Sequence, residues 1–161
     1  MCDHDSINEP VRDRPNPSPR RDGRPDKIYF GRRENLLMGD APTEGETKSY
    51  SQTFTGEDVA RFADISGDRG RHHVEGDSRM VHGLLTATLP TKLGGDMDYV
   101  ARTMTFRFRE PVYVGEEITC EATIEEVTSR EERHEMAVSF VCRNEKSSVV
   151  LDGETEGVIF R

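Results

Sequence analysis

Apolar residues are nearly absent from the first 27 positions, where Pro10, Pro15, Pro17, Pro19 and Pro25 stand among Arg and Asp. Such a segment cannot bury enough surface to offset its ordering entropy. Residues 1–45 are therefore expected to be a disordered or loosely docked tail, with two small apolar islands at Ile28-Tyr29-Phe30 and Leu36-Leu37-Met38. Regular patterning starts near Glu46. Thr47 to Phe54 alternates loosely, as an edge strand does. Thr55-Gly56-Glu57-Asp58 reads as a helix start, with Thr55 as N-cap and Asp58 at the reciprocal third position. Val59, Phe62 and Ala63 recur at helical spacing, and Gly67 is placed to close the helix in the left-handed conformation.

The run from Gly83 to Leu93 is the most apolar, with small or apolar residues on most sides, which predicts a buried helix. Pro90 removes one backbone hydrogen bond and crowds the carbonyl of Thr86, so a kink or break is expected there, and Gly94-Gly95 is expected to end the helix. From Tyr99 the period changes to two. Met104, Phe106 and Phe108 form one face; Ile118, Cys120, Ala122 and Ile124 the next; Met136, Val138, Phe140 and Cys142 a third; and Val149 to Phe160 a last strand or bent strand pair. Charged turns at Thr128–Glu132 and Asn144–Ser147 separate them. One antiparallel sheet wrapped around one apolar helix, an α+β single domain over 46–161, is the economical architecture.

Composition narrows the function classes. The formal net charge of −9 argues against nucleic acid, whose phosphates require a basic face. No stretch approaches the apolar length a membrane span needs, and the N-terminus has neither a basic start nor an apolar run, so a soluble cytoplasmic protein is expected. Lysine stands only at positions 27, 48, 92 and 146, and the remaining basic residues are arginine. Many acids with little lysine predict adaptation to high salt, where surface repulsion is screened. Cys2, Cys120 and Cys142 show no paired spacing, and the strand parity of the last two predicts buried thiols.

Candidate chemistry is concentrated between Asp64 and Gly83, where three of the five histidines fall. Asp68 and His73 lie five positions apart on a predicted loop. A carboxylate and an imidazole together can hold and activate one water, one taking its proton and the other orienting it. Gly83 opens the apolar helix, so its N–H is unpaired in the first turn, faces the positive end of the helix dipole and can stabilise charge developing on a carbonyl. Each residue also has a plainer reading: a turn aspartate bonded to its own backbone, solvated histidines, and an entry glycine. His72, His73, His82, Asp68 and Asp77 are possible zinc ligand types, but adjacent histidines rarely reach one ion and no paired-histidine motif is present, so no metal is expected.

At these residues the chain resembles the MaoC-like hydratases, the (R)-specific enoyl-CoA hydratases of the hot-dog fold. The resemblance rests on three blocks in order: Phe54-Thr55-Gly56-Glu57-Asp58-Val59-Ala60-Arg61-Phe62-Ala63 running into Ser66-Gly67-Asp68 and His73; Val81-His82-Gly83-Leu84-Leu85; and Pro111-Val112-Tyr113-Val114-Gly115-Glu116. It covers roughly residues 46–161. It implies that Asp68 and His73, rather than His72, activate the water added to the enoyl double bond. The Gly83 N–H would stabilise the thioester enolate, with His82 and Thr91 at the substrate pocket. It further implies cofactor-free chemistry on a coenzyme A thioester, in an edge-to-edge homodimer. Gly70 and Arg71 replace the family's Asn-Pro, making Arg71 a candidate for a substrate carboxylate or phosphate. Only eight residues, Val74 to Val81, separate His73 from His82, where the family has a longer segment that covers the acyl pocket. Reversible hydration of a trans-2-enoyl-CoA to an (R)-3-hydroxyacyl-CoA is the expected activity. An acyl-CoA thioesterase, or a non-catalytic acyl-CoA-binding or assembly subunit, are the alternatives.

Overall fold

The structure, a computed structural model, describes residues 41–161, so most of the expected tail lies outside the described residues. In chain order come β1 (Thr47–Thr53), α1 (Gly56–Ser66), α2 (Arg71–Val74), α3 (Gly83–Thr86), α4 (Thr88–Asp96), β2 (Val100–Phe108), β3 (Glu117–Ser129), β4 (Arg133–Asn144) and β5 (Val149–Phe160). The strands form one antiparallel sheet in the order β1-β3-β4-β5-β2. This is the α+β hot-dog arrangement expected from the sequence. Ahead of β1, the Gly45 N–H already donates to the Ile124 carbonyl at 2.8 Å.

Strand parity decides the core. Ile118, Cys120, Ala122 and Ile124 of β3 face the same way as Met136, Val138, Phe140 and Cys142 of β4, and all are buried. Leu85, Leu89 and Leu93 of α3 and α4 pack in the same cluster. Leu89 is wholly buried, and a leucine in that state contributes roughly 1.5–3 kcal/mol. Cys120 and Cys142 are cross-strand partners and free thiols. The hydrogen bond with Cys120, together with burial, pushes the Cys142 thiol far above its ordinary value, which disfavours the reactive thiolate.

The α1 signals operate as expected. Thr55 accepts the Asp58 N–H at 3.2 Å, Asp58 accepts the Thr55 N–H at 2.8 Å, and Gly67 closes the helix at φ 75°. The apolar helix differs. It breaks at Ala87, one turn before Pro90, and runs through Gly94 and Gly95 to Asp96. Pro90 lies in the first turn of α4, where a backbone donor has no helical partner in any case, so the missing N–H is harmless there. Carbonyls around the break are met by threonine hydroxyls: Thr88 donates to the Leu85 oxygen at 2.6 Å and Thr91 to the Ala87 oxygen at 3.1 Å. Amides beyond the glycines, those of Met97 and Tyr99, return to the Gly94 carbonyl at 3.1 and 2.9 Å, which closes the helix. No helix among the described residues is long and apolar enough to cross a membrane.

Candidate active site

The loop after α1 is tied down at both ends. Gly67 turns the chain, and the Asp68 N–H donates to Ser66 Oγ at 3.1 Å. One helical turn, α2, which the sequence pattern did not predict, then carries His73 inward. A short return segment closes the loop. The Val81 N–H donates to the Val112 carbonyl at 2.8 Å, and the Val114 N–H donates to the Arg79 carbonyl at 3.0 Å. The Pro111–Glu116 block thus acts as a clamp on the segment entering α3.

That clamp orients His73. The Met80 N–H donates to the His72 carbonyl at 2.8 Å, and the Met80 carbonyl lies 2.8 Å from His73 Nδ1. A carbonyl only accepts, so Nδ1 carries a proton, and in the neutral ring Nε2 carries the lone pair. Nε2 faces Asp68 Oδ2 at 3.7 Å, across a gap too long for a direct hydrogen bond. His73 is buried, whereas the Asp68 side chain is 56% exposed. The Gly70 N–H donates to Asp68 Oδ1 at 3.1 Å and holds the carboxyl below the usual carboxylate range. When the His73 ring is neutral, a carboxylate and an imidazole lone pair face each other here with no hydrogen between them. A water placed there can donate to both.

His82 completes the cluster. It is 2% exposed, its ring stacks on His73 at 3.8 Å and 18°, and its Nε2 lies 2.9 Å from the Asp68 carbonyl. Single atoms of Asp68, His73 and His82 lie within 4.8 Å of one another, close enough to suggest a metal. The stacking opposes one. Nitrogen lone pairs lie in the ring plane, so an ion about 2.1 Å from one ring's nitrogen falls well out of the plane of the other ring.

Gly83 follows His82 and opens α3. Among the described residues its N–H has no hydrogen-bond acceptor, and a side chain there would stand 2.8 Å from the Phe108 ring. Because α3 spans only four residues, the dipole expected behind this donor is that of a single turn, and the N–H itself is the useful group. Thr91 lines a cavity of about 170 Å³ between α4 and the sheet, with Met104, Tyr99, Phe140 and Thr155 among its walls. Arg71 points outward, 87% exposed, and pairs with Glu75 at 3.0 Å. His72 is exposed beside His73. The structure thus gathers Asp68, His73, His82 and, through chain adjacency, Gly83. It sets Thr91 at a separate cavity and Arg71 in solvent. Met80 and Gly70 act only through backbone atoms, which residue types do not reveal, and pattern reading missed both.

Comparison with known proteins bears on the fold and family. The family model of the Thioesterase superfamily matches residues 80–131, a stretch that includes Gly83 and Thr91 and omits Asp68 and His73. A 3-hydroxybutyryl-CoA dehydratase of Methylorubrum extorquens is 31% identical over 124 residues, 68% of this chain and 76% of that protein. A mitochondrial 3-hydroxyacyl-[acyl-carrier-protein] dehydratase of Arabidopsis thaliana is 27% identical over 130 residues, 71% of this chain and 76% of that protein. Among solved structures, an (R)-hydratase of A. caviae superposes with a TM-score of 0.67 at 21% identity, covering 74% of this chain and 98% of that one. The unliganded R-hydratase of Pseudomonas aeruginosa gives a TM-score of 0.63 at 25% identity, covering 72% and 81%.

Proposed function

The chain belongs to the MaoC-like hydratases and dehydratases of the hot-dog fold, a family of lyases, and from that membership we propose that it reversibly hydrates a trans-2-enoyl-CoA to the (R)-3-hydroxyacyl-CoA. The observation that carries this reading is the 3.7 Å gap between Asp68 Oδ2 and His73 Nε2, a spacing at which the two groups can share one water.

One of the pair removes a proton from the water as its oxygen bonds to C3 of the substrate. The electron pair of the C2=C3 bond moves onto the thioester, giving an enolate whose oxygen accepts the Gly83 N–H. The proton is returned to C2. Atoms and charge balance with no cofactor, and the reverse sequence is dehydration. The (R) outcome comes from the family resemblance, as does coenzyme A as the handle of the substrate. Following the family resemblance, the acyl tail is assigned to the cavity beside Thr91, which lies apart from the gathered residues; an apolar cavity of about 150 Å³ accepts a guest the size of benzene, so a short chain fits.

A homodimer accords with the sheet. β2 is an edge strand, and Phe108, 53% exposed, lies against Gly83. Pairing of a second copy along this edge would cover both. The thioesterase reading has one observation in its favour, the family-model match over 80–131. Crotonyl-CoA separates the two. Purified protein in molar salt is expected to remove the enoyl absorbance without releasing free thiol. Thiol release would establish the thioesterase, and saturable binding without either change would establish a binding subunit.

A further inference from the structure

The two inward-facing histidines do different jobs. His73 turns a free lone pair toward Asp68. His82 makes its one hydrogen bond to main chain, from Nε2 to the Asp68 carbonyl at 2.9 Å, across 14 positions of sequence. The acceptor is a carbonyl, so Nε2 carries the proton and Nδ1 the lone pair. That Nδ1 is buried and has no partner among the described residues.

A histidine with one orphaned nitrogen is a poor choice for stability alone at a site 2% exposed, since an apolar ring would leave no buried polar atom unmet. Its placement explains its presence. Asp68 sits in a turn with its side chain 56% exposed, steadied by the Gly70 N–H on one carboxylate oxygen. The ring of His82 holds the same residue from behind, by its carbonyl, and lies flat against His73 at 3.8 Å. Phe62 packs on His82 at 5.0 Å and fixes it in turn. One buried ring thereby sets both the position of the acid and the tilt of the imidazole.

We propose that His82 is the positioning residue of this site: it acts through the Asp68 main chain and the His73 ring, and it does not contact substrate. This replaces the substrate-binding role expected for it from the sequence, and it rests on the reading of Asp68 and His73 as the reacting pair.

Two variants separate its functions. His82→Phe keeps a flat ring against His73 and loses the donor to Asp68. His82→Gln keeps a donor of similar reach and loses the stack. With crotonyl-CoA, His82→Phe is expected to lower kcat by about 10- to 100-fold, the scale of a displacement of about 1 Å in a reacting group, with KM within about twofold of the parent. His82→Gln should recover part of that loss. The thermal midpoint of His82→Phe should not fall, because the orphaned nitrogen goes with the substitution; if this variant does not fold, the Gln variant carries the test by the same split of kcat from KM.

A rise in KM with kcat unchanged in either variant would make His82 a substrate contact and overturn the proposal. So would a fully active His82→Phe beside an inactive Asp68→Asn. A fully active Asp68→Asn would instead overturn the reacting pair itself, and the role of His82 with it.

Discussion

Replacing Asp68 by Asn tests the reacting pair with little disturbance elsewhere. Oδ1 accepts the Gly70 N–H at 3.1 Å, and an asparagine can keep an oxygen in that place. Its amide nitrogen then takes the position of Oδ2, facing His73 Nε2 across 3.7 Å. A donor now stands where an acceptor stood, so a water between the two side chains loses one of its two acceptors and the asparagine cannot take a proton from it. The side chain is 56% exposed and its backbone contact survives, so the melting temperature should stay close to the parent's. Catalysis loses a group active in proton transfer, typically about 10²–10⁴-fold, or about 3–5 kcal/mol of barrier at 1.36 kcal/mol per decade. The assay is the initial rate of crotonyl-CoA absorbance loss, with a thermal melt of each protein alongside. A rate within about threefold of the parent, at an unchanged melting temperature, would refute the reasoning, since no mechanism through Asp68 survives it.

Removing the helix cap by Thr55→Ala should cost roughly 1 kcal/mol, read as a melting-temperature drop of about 4 °C. That effect should depend on pH in a defined direction. The Thr55 hydroxyl and N–H hold the Asp58 carboxyl below its ordinary value, so this stabilisation is complete above the unfolded-state pKa near 3.8 and is lost as pH falls through the lower folded value. The gap between parent and variant should therefore close in acid melts, and a gap that widens there would be contrary to the cap. Gly153→Ala places a methyl onto the Thr105 carbonyl and 2.5 Å from the Phe140 ring, so β2 must part from β5. Urea denaturation should show a loss of roughly 1–3 kcal/mol or more, and a neutral result would mean that the β2 edge is not held as described. Tyr99→Ala opens a wall of the cavity beside Thr91, where the Tyr99 hydroxyl lies 3.3 Å from Thr155 Oγ1. Rates on longer enoyl-CoA esters should rise relative to crotonyl-CoA, and an unchanged preference would place the acyl tail elsewhere.

How far the sequence could be followed depended on whether a feature is local. The α1 cap, the Gly67 turn and the parity of β3 and β4 are set by residues a few positions apart, and each lies where its pattern placed it. Pro90 marks the break through the residue four before it: α3 ends at Thr86, whose carbonyl has no proline N–H to accept, whereas the expected stop at Gly94-Gly95 is overrun as far as Asp96. The pairing of Asp68 with His73 was anticipated from spacing and resemblance. The tautomer of His73 was not, because it is fixed by the Met80 carbonyl, and Met80 is held in turn by the bend at Pro111–Glu116. Contacts made by backbone atoms across distant segments leave no mark on residue identity. Arg71 shows the converse: its charge suggested a ligand, whereas its guanidinium meets Glu75 in solvent.

The short segment between His73 and His82 bears on catalysis in a way that the fold makes specific. Eight residues suffice to build the end of α2, turn at Gly76 and deliver Met80 to His73, so brevity removes none of the parts that orient the pair. What it removes is cover. The Asp68 side chain stays half exposed, and a cleft of about 190 Å³ lies open beside His73 between Ala63 and Arg79. Interactions with a developing charge weaken several-fold when water remains around them. On the proposed mechanism, then, water must be excluded by something that arrives at the site. The acyl-CoA substrate can do this on the side of Asp68, and a second copy on the β2 edge can do it around Phe108 and the Gly83 N–H.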